Sequence, residues 1–181
     1  MIDPPKMPRP FFVYSILSVT ILTSGCASRQ LSHPLTVNQL KAELVMMVPE
    51  PRPAVVAEAD KLARTTFTII ETSSRRDKMI GWPWANNGLI RMGMKSRGLC
   101  YHWAEDLVTA LDTVHPKFYE IHWMVARKGK LREHNSALLT AKGNPVEQGL
   151  IIDPWRTSGR PFWIRMAQDK YLHLTCHEKS V

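Results

Sequence analysis

Gly98-Leu99-Cys100-Tyr101-His102-Trp103-Ala104-Glu105-Asp106-Leu107 is the stretch on which both fold and chemistry turn. Apolar residues at 100, 103, 104, 107, 108 and 111 follow the spacing of a helix with one buried face. Cys100 falls in the first turn of that helix. There, unpaired backbone N–H groups and the positive end of the helix dipole stabilise an ionised thiol. The same N–H groups can stabilise an oxyanion formed when the thiolate attacks a carbonyl.

Two downstream segments complement this helix. After His115-Pro116 the period changes to two: Tyr119, Ile121, Trp123 and Val125 alternate with Glu120, His122 and Met124, which predicts a strand. Lys128-Gly129-Lys130 is a turn signal, and the chain is expected to return over 131–140 with Arg132, His134, Ser136 and Leu138 on one face. A second turn, Lys142-Gly143-Asn144-Pro145, leads to a short apolar strand over 148–152, ending at Asp153 before Pro154. Cys100, His134 and Asp153 are 34 and 19 residues apart, separations that a meander of antiparallel strands can close. Their chemistry is complementary: a thiol nucleophile, an imidazole that accepts and returns its proton, and a carboxylate that fixes the imidazole tautomer.

Upstream, Val55, Ala59, Leu62, Thr66 and Ile69 recur at helical spacing and predict a helix over 54–70, followed by a polar break at 73–78. Residues 26–53 read as a tether with at most one short helix, capped by Thr36, with Leu40 and Leu44 on one side. Pro49, Pro51 and Pro53 end it. Gly81-Trp82-Pro83-Trp84-Ala85-Asn86-Asn87-Gly88 reads as a loop whose tryptophans either cap the core, the favoured role, or line a groove beside Cys100. The last stretch contains Phe162-Trp163-Ile164 and Tyr171-Leu172-His173-Leu174, which supply a further strand or wrap the sheet.

Gly98-Leu99-Cys100 at a helix start, Glu133-His134-Asn135 on a strand and Ile152-Asp153-Pro154-Trp155 after another resemble, in that order, the transglutaminase-like superfamily, a branch of the papain-like cysteine enzymes. The resemblance spans roughly residues 54 to 160. It implies an α+β fold with N-terminal helices packed on an antiparallel β-sheet, thiol chemistry on amides or thioesters, and no metal or other cofactor. It implies Cys100 as nucleophile, His134 as general base and acid, and Asp153 as orienting group, with Trp82, Trp84 and Tyr101 as candidates for substrate contact or oxyanion assistance. The family includes proteases, amidases, cross-linking enzymes and inactive members. Hydrolysis of a peptide or amide bond is the expected reaction; the alternative is a non-catalytic envelope lipoprotein that binds protein or peptidoglycan.

The first residues indicate location. Lys6 and Arg9 precede an uncharged, mostly apolar run over 11–23 and then Ser24-Gly25-Cys26, the layout of a secretory signal. Leu22-Thr23-Ser24-Gly25-Cys26 resembles a bacterial lipoprotein lipobox, implying cleavage before Cys26, with Met1 or Met7 as the start, and acylation of Cys26. The expected organisation is a signal peptide at 1–25, a tether at 26–53 and a transglutaminase-like domain at 54–181. Several acyl chains make a firm membrane anchor. Ala27 after the cysteine points to the outer membrane, facing the periplasm, and so to a peptide or protein partner in the cell envelope. The 181-residue chain is 44% hydrophobic and 22% charged, which excludes a disordered protein. Its net charge of +8 and pI near 9.6 suit an anionic envelope surface. With no nucleic-acid motif and no basic cluster, nucleic acid is not an expected partner. Loss of the signal peptide removes two positive charges and one negative and leaves +7.

Competing roles exist for several of these residues. Cys100 and Cys176 could form a disulfide in an oxidising compartment. His102 is a rival base in sequence, but positions i and i+2 of a helix do not face each other; a partly buried helix residue or a neighbour of the substrate is expected. His122 is expected at the solvent face. His173, Cys176 and His177 are three potential metal ligands without a fourth.

Overall fold

A computed structural model describes residues 35–170 and the backbone strand 176–178. The expected signal peptide, Cys26, residues 27–34, the Tyr171–Leu174 segment and the side chains of Cys176 and His177 lie outside the described residues. The chain is α+β: four helices, α1 (Val37–Val45), α2 (Pro53–Arg76), α3 (Pro83–Arg91) and α4 (Cys100–Asp112), precede an antiparallel sheet packed against them. Its strands are β1 (Tyr119–Ala126), β2 (His134–Ala141), β3 (Leu150–Ile152), β4 (Trp163–Arg165) and β5 (Cys176–Glu178), in spatial order β4-β3-β2-β1-β5.

The helix α1 starts at a reciprocal cap: Thr36 Oγ1 accepts from the Gln39 backbone N–H at 3.3 Å, and Gln39 Oε1 accepts from the Thr36 N–H at 2.8 Å. The sequence places this short helix inside the expected tether, yet Leu40 and Leu44 are completely buried. Tyr119 of β1 donates its hydroxyl to the Leu44 carbonyl at 3.0 Å, and Arg165 of β4 reaches Glu43 at 2.8 Å. The packed domain therefore begins near residue 37, not at 54, because α1 closes one side of the core.

Pro53 occupies the first helical position of α2, where its missing N–H costs nothing. The helix runs to Arg76, through the expected polar break. Its buried face continues past Ile70 to Ser73, whose hydroxyl donates to Asp106 on α4 at 2.9 Å, and Arg76 adds ion pairs to Asp77 and Asp106. A polar inter-helix seam thus extends the helix where apolar periodicity gives out.

The expected loop over 81–88 is instead largely α3. Pro83 starts it, and Asn86, fully buried, donates to the Ile80 and Trp82 carbonyls at 2.8 and 2.9 Å and accepts from the Ile80 N–H and Lys95 Nζ. The amide that suggested a loop secures the turn leading into a helix. Trp82 and Trp84 are 59% and 70% exposed, so they do not cap the core; their rings lie 6.1 Å apart, against each other.

The strands follow the expected hairpin. Tyr119 faces Ala141 and Ala126 faces His134 across β1–β2, with Arg127 and Gly129 at positive φ in the turn. Ala137, Leu138 and Leu139 pair with Ile152, Ile151 and Leu150. Alternation divides the sheet. Ala137, Leu139, Leu150 and Ile152 join the main core with Leu62, Trp103, Leu107 and Leu111, whereas Met124, Leu138, Ile151 and Met166 form a smaller cluster. The Phe162-Trp163-Ile164 segment supplies edge strand β4 beside β3. Among the described residues no helix is long and apolar enough to cross a membrane.

Candidate active site

Cys100 is the first residue of α4, half-buried and free of any disulfide, so the expected alternative bond to Cys176 is not formed. The approach to it is tightly determined. Gly98 has φ +117°, and a Cβ there would sit 3.1 Å from Met79 Sδ, so both conformation and space call for glycine. Arg97 pairs with Asp106 at 2.8 Å, tying the incoming loop to the helix it feeds.

His102 completes this turn. Its Nδ1 accepts from the backbone N–H groups of Gly98 and Leu99, each at 3.2 Å, which makes it the neutral tautomer with the proton on Nε2. Burial, with Arg97 adding repulsion, pushes its pKa below the usual histidine value and keeps it an acceptor. The backbone N–H groups of His102 and Trp103 donate to the Leu99 carbonyl. Among the described residues, those of Cys100 and Tyr101 have no acceptor, so two donors remain at the positive end of α4 beside the thiol.

The three expected residues come together. His134 opens β2, and Asp153 follows β3 one residue beyond the Ala137–Ile152 pair. His134 is 2% exposed and Asp153 1%. Nε2 of His134 lies 2.7 Å from Asp153 Oδ2, and the Cys100 thiol is near enough to the imidazole to help raise its pKa. Burial opposes charge on the imidazole, but Asp153 and then Cys100 outweigh it, and the pKa of His134 is raised to about 9. Burial likewise opposes the Asp153 carboxylate, while His134 and Arg156 overcome it and hold the pKa below the usual aspartate value.

Two further residues lie against these: Trp155, quoted in the sequence motif without a role, and Arg156, which the sequence did not single out. Trp155 packs its ring 4.9 Å from the imidazole at 53°, and its Nε1 donates to Asn87 Oδ1 of α3 at 3.2 Å. Arg156 Nε donates to Asp153 Oδ2 at 2.5 Å. Trp155 and Arg156 belong to a single 3-10 turn, Pro154–Thr157, that begins directly after Asp153. That placement was the available signal: a proline forcing the chain to turn puts the next side chains back against the residue before it.

Tyr101, 44% exposed, stacks on His102, and Trp82 and Trp84 stand at the exposed start of α3. These three expected contact residues therefore lie at the surface and are not part of the buried array. His122, expected in solvent, is half-buried with Nε2 3.0 Å from Thr140 Oγ1. Among the described residues no group of three or more His, Cys, Asp or Glu side chains is placed to hold a metal ion; the tail set of His173, Cys176 and His177 falls outside them. Compared with known protein families, with curated proteins and with solved structures, the chain matches none.

Proposed function

We propose that this domain is a transglutaminase-like cysteine enzyme that cleaves a peptide or amide bond through a thioester. In the same proposal the chain is a lipoprotein held by an acylated Cys26 at the bacterial outer membrane, facing the periplasm, and its substrate is a peptide or protein of the cell envelope. The observation that carries the catalytic reading is the buried His134–Asp153 pair, 2.7 Å apart, with the Cys100 thiol near enough to help raise the imidazole's pKa.

The reaction follows from that arrangement. Proton transfer from Cys100 to His134 yields a thiolate beside an imidazolium that Asp153 stabilises. Sulfur attacks the carbonyl carbon, a C–S bond forms, and the carbonyl electron pair moves to oxygen, toward the N–H groups of Cys100 and Tyr101. The oxyanion collapses, the C–N bond breaks, and the imidazolium proton passes to the leaving amine. Water then attacks the thioester while His134 takes one of its protons; the C–S bond breaks and the thiolate–imidazolium pair is restored. Hydrolysis is favoured over transfer because water is abundant in the proposed periplasmic setting.

A second reading, a non-catalytic binding protein, draws on the exposed Trp82–Trp84 pair, which suits stacking against a ligand. The two are separated by treating the purified chain with an alkylating reagent and locating the modified cysteine by mass spectrometry. Rapid, selective modification of Cys100, and turnover of peptide or thioester substrates that Cys100→Ala abolishes, are expected of the enzyme. A Cys100 that reacts no faster than a free thiol in the denatured chain would sink the catalytic reading.

A further inference from the structure

The buried array does not stop at Asp153. Oδ2 of this carboxylate receives two donors, His134 Nε2 at 2.7 Å and Arg156 Nε at 2.5 Å. The other edge of the same guanidinium meets Asp169, with Nη1 to Oδ1 at 3.2 Å and Nη2 to Oδ2 at 2.6 Å. Asp169 is only 2% exposed. The guanidinium also lies over the Phe162 ring at 5.4 Å, and the Phe162 carbonyl accepts from the Asp153 backbone N–H at 3.0 Å. Arg156 and Asp153 are thus fixed by the same turn, the same neighbour and each other.

Charge alternates along this line: imidazolium, carboxylate, guanidinium, carboxylate. Each member has a physical reason to be there. A carboxylate as buried as Asp153 tends to take up a proton when its only partner is an imidazole that can itself be neutral. Arg156 is permanently charged, so it keeps Asp153 ionised whatever the state of His134. Alone, Arg156 would also draw Asp153's charge away from the imidazole; Asp169 balances it. Only a planar fork can address two carboxylates on two edges, which a lysine ammonium cannot do.

Resting on the cysteine-enzyme reading above, we infer that Arg156, locked by Asp169, is a positioning residue that holds Asp153 ionised and aimed at His134, and so maintains the thiolate–imidazolium pair. Arg156 acts through Asp153 and touches no substrate. The inference assigns Asp169, 16 positions beyond Asp153 and inconspicuous in the sequence, to the reaction machinery.

The test reads the imidazolium directly. The full chain, held in detergent, is alkylated with iodoacetate between pH 5 and 10, and modification of Cys100 is followed by mass spectrometry. An anionic reagent is drawn to the imidazolium, so its rate falls as His134 loses its proton. In the wild type this fall is expected near pH 9. Arg156→Gln is expected to move it down by about one unit or more, Arg156→Lys to recover part of the shift, and Asp169→Asn to move it in the same direction by less. Thermal unfolding establishes that each variant is folded. If Arg156→Gln does not fold, Asp169→Asn, which keeps the arginine and nearly the same shape, carries the test alone. Folded variants whose alkaline limb stays at the wild-type position overturn the inference and leave Arg156 a structural clamp. A His134→Ala chain with an unchanged profile instead overturns the underlying catalytic reading, and the inference with it.

Discussion

His134 Nε2 and Asp153 Oδ2 stand 2.7 Å apart with both side chains almost wholly shielded from water. A neutral amide in place of the carboxylate keeps the shape and removes the charge that favours the imidazolium. Asp153→Asn is therefore expected to lower turnover and Cys100 alkylation at pH 7 by roughly 10²-fold or more, with little change in substrate binding. His134→Ala is expected to do at least as much. The comparison is made on kcat and KM separately.

The same pair sets a pH window for stability. His134 has a folded pKa of about 9, above its ordinary value of 6.5, so its contribution is complete below pH 6.5 and is lost as pH rises through 9. That contribution is on the order of 3 kcal/mol. Asp153 is shifted down, so its contribution is present above the ordinary aspartate range and is lost as pH falls. Denaturant unfolding across pH 4 to 10 is expected to show greatest stability in the mildly acidic range, with an alkaline decline that His134→Gln removes.

Neutral His102 supplies the acceptor for the Gly98 and Leu99 backbone N–H groups. His102→Ala leaves both donors unpaired in a largely buried turn, at a cost of about 1–3 kcal/mol. It is also expected to slow Cys100 alkylation, because the turn that presents the thiol loses its anchor. His102→Asn, which offers an oxygen near the same place, is expected to restore part of both losses. A variant that loses stability yet keeps full thiol reactivity would separate the cap from the site.

Leu40 and Leu44 lie in a segment that reads as spacer, yet both are fully enclosed. Truncating either to alanine is expected to cost about 2–5 kcal/mol in denaturant unfolding. A true tether would lose nothing measurable.

Trp82 and Trp84 mark the opposite case, large rings left in solvent. Replacing each with alanine is expected to change stability by no more than about 0.5 kcal/mol. If these rings bind the acyl donor, KM rises while kcat and the intrinsic alkylation rate of Cys100 stay put. Unchanged KM in both variants would remove them from the substrate surface.

The α+β architecture could be read from periodicity because α2 and α4 each bury one regular face and β1 alternates from Tyr119, although Met124 and Ala126 on its other face are buried too. The helix period around Leu107 and Leu111 describes an element packed on the main core, which Tyr119 of β1 joins. Legibility failed where polar groups carried the structure. Ser73 and Arg76 prolong α2 through bonds to Asp106, and Asn86 initiates α3 through its amide; both look like loop chemistry when their partners are unseen. Cys100, His134 and Asp153 were visible because each sits at an element boundary in a telling order. Arg156 was one turn beyond such a boundary, and nothing local distinguishes Asp169. The tail beyond Lys170 offers no comparison, since its side chains are not described.

The wide spacing of the array along the chain has a consequence for synthesis. Cys100 leaves the ribosome first, and its helix can form with α2 already present. The thiol then has neither base nor counter-ion until His134 emerges, β1 and β2 pair, and β3 delivers Asp153. Arg156 and Asp169 emerge later still. On the proposed chemistry, a nascent or truncated chain thus lacks the partners of Cys100 until nearly the whole domain has been made. If the proposed cysteine chemistry holds, the order of residues doubles as a safeguard, since no partial product has the array before the fold is complete.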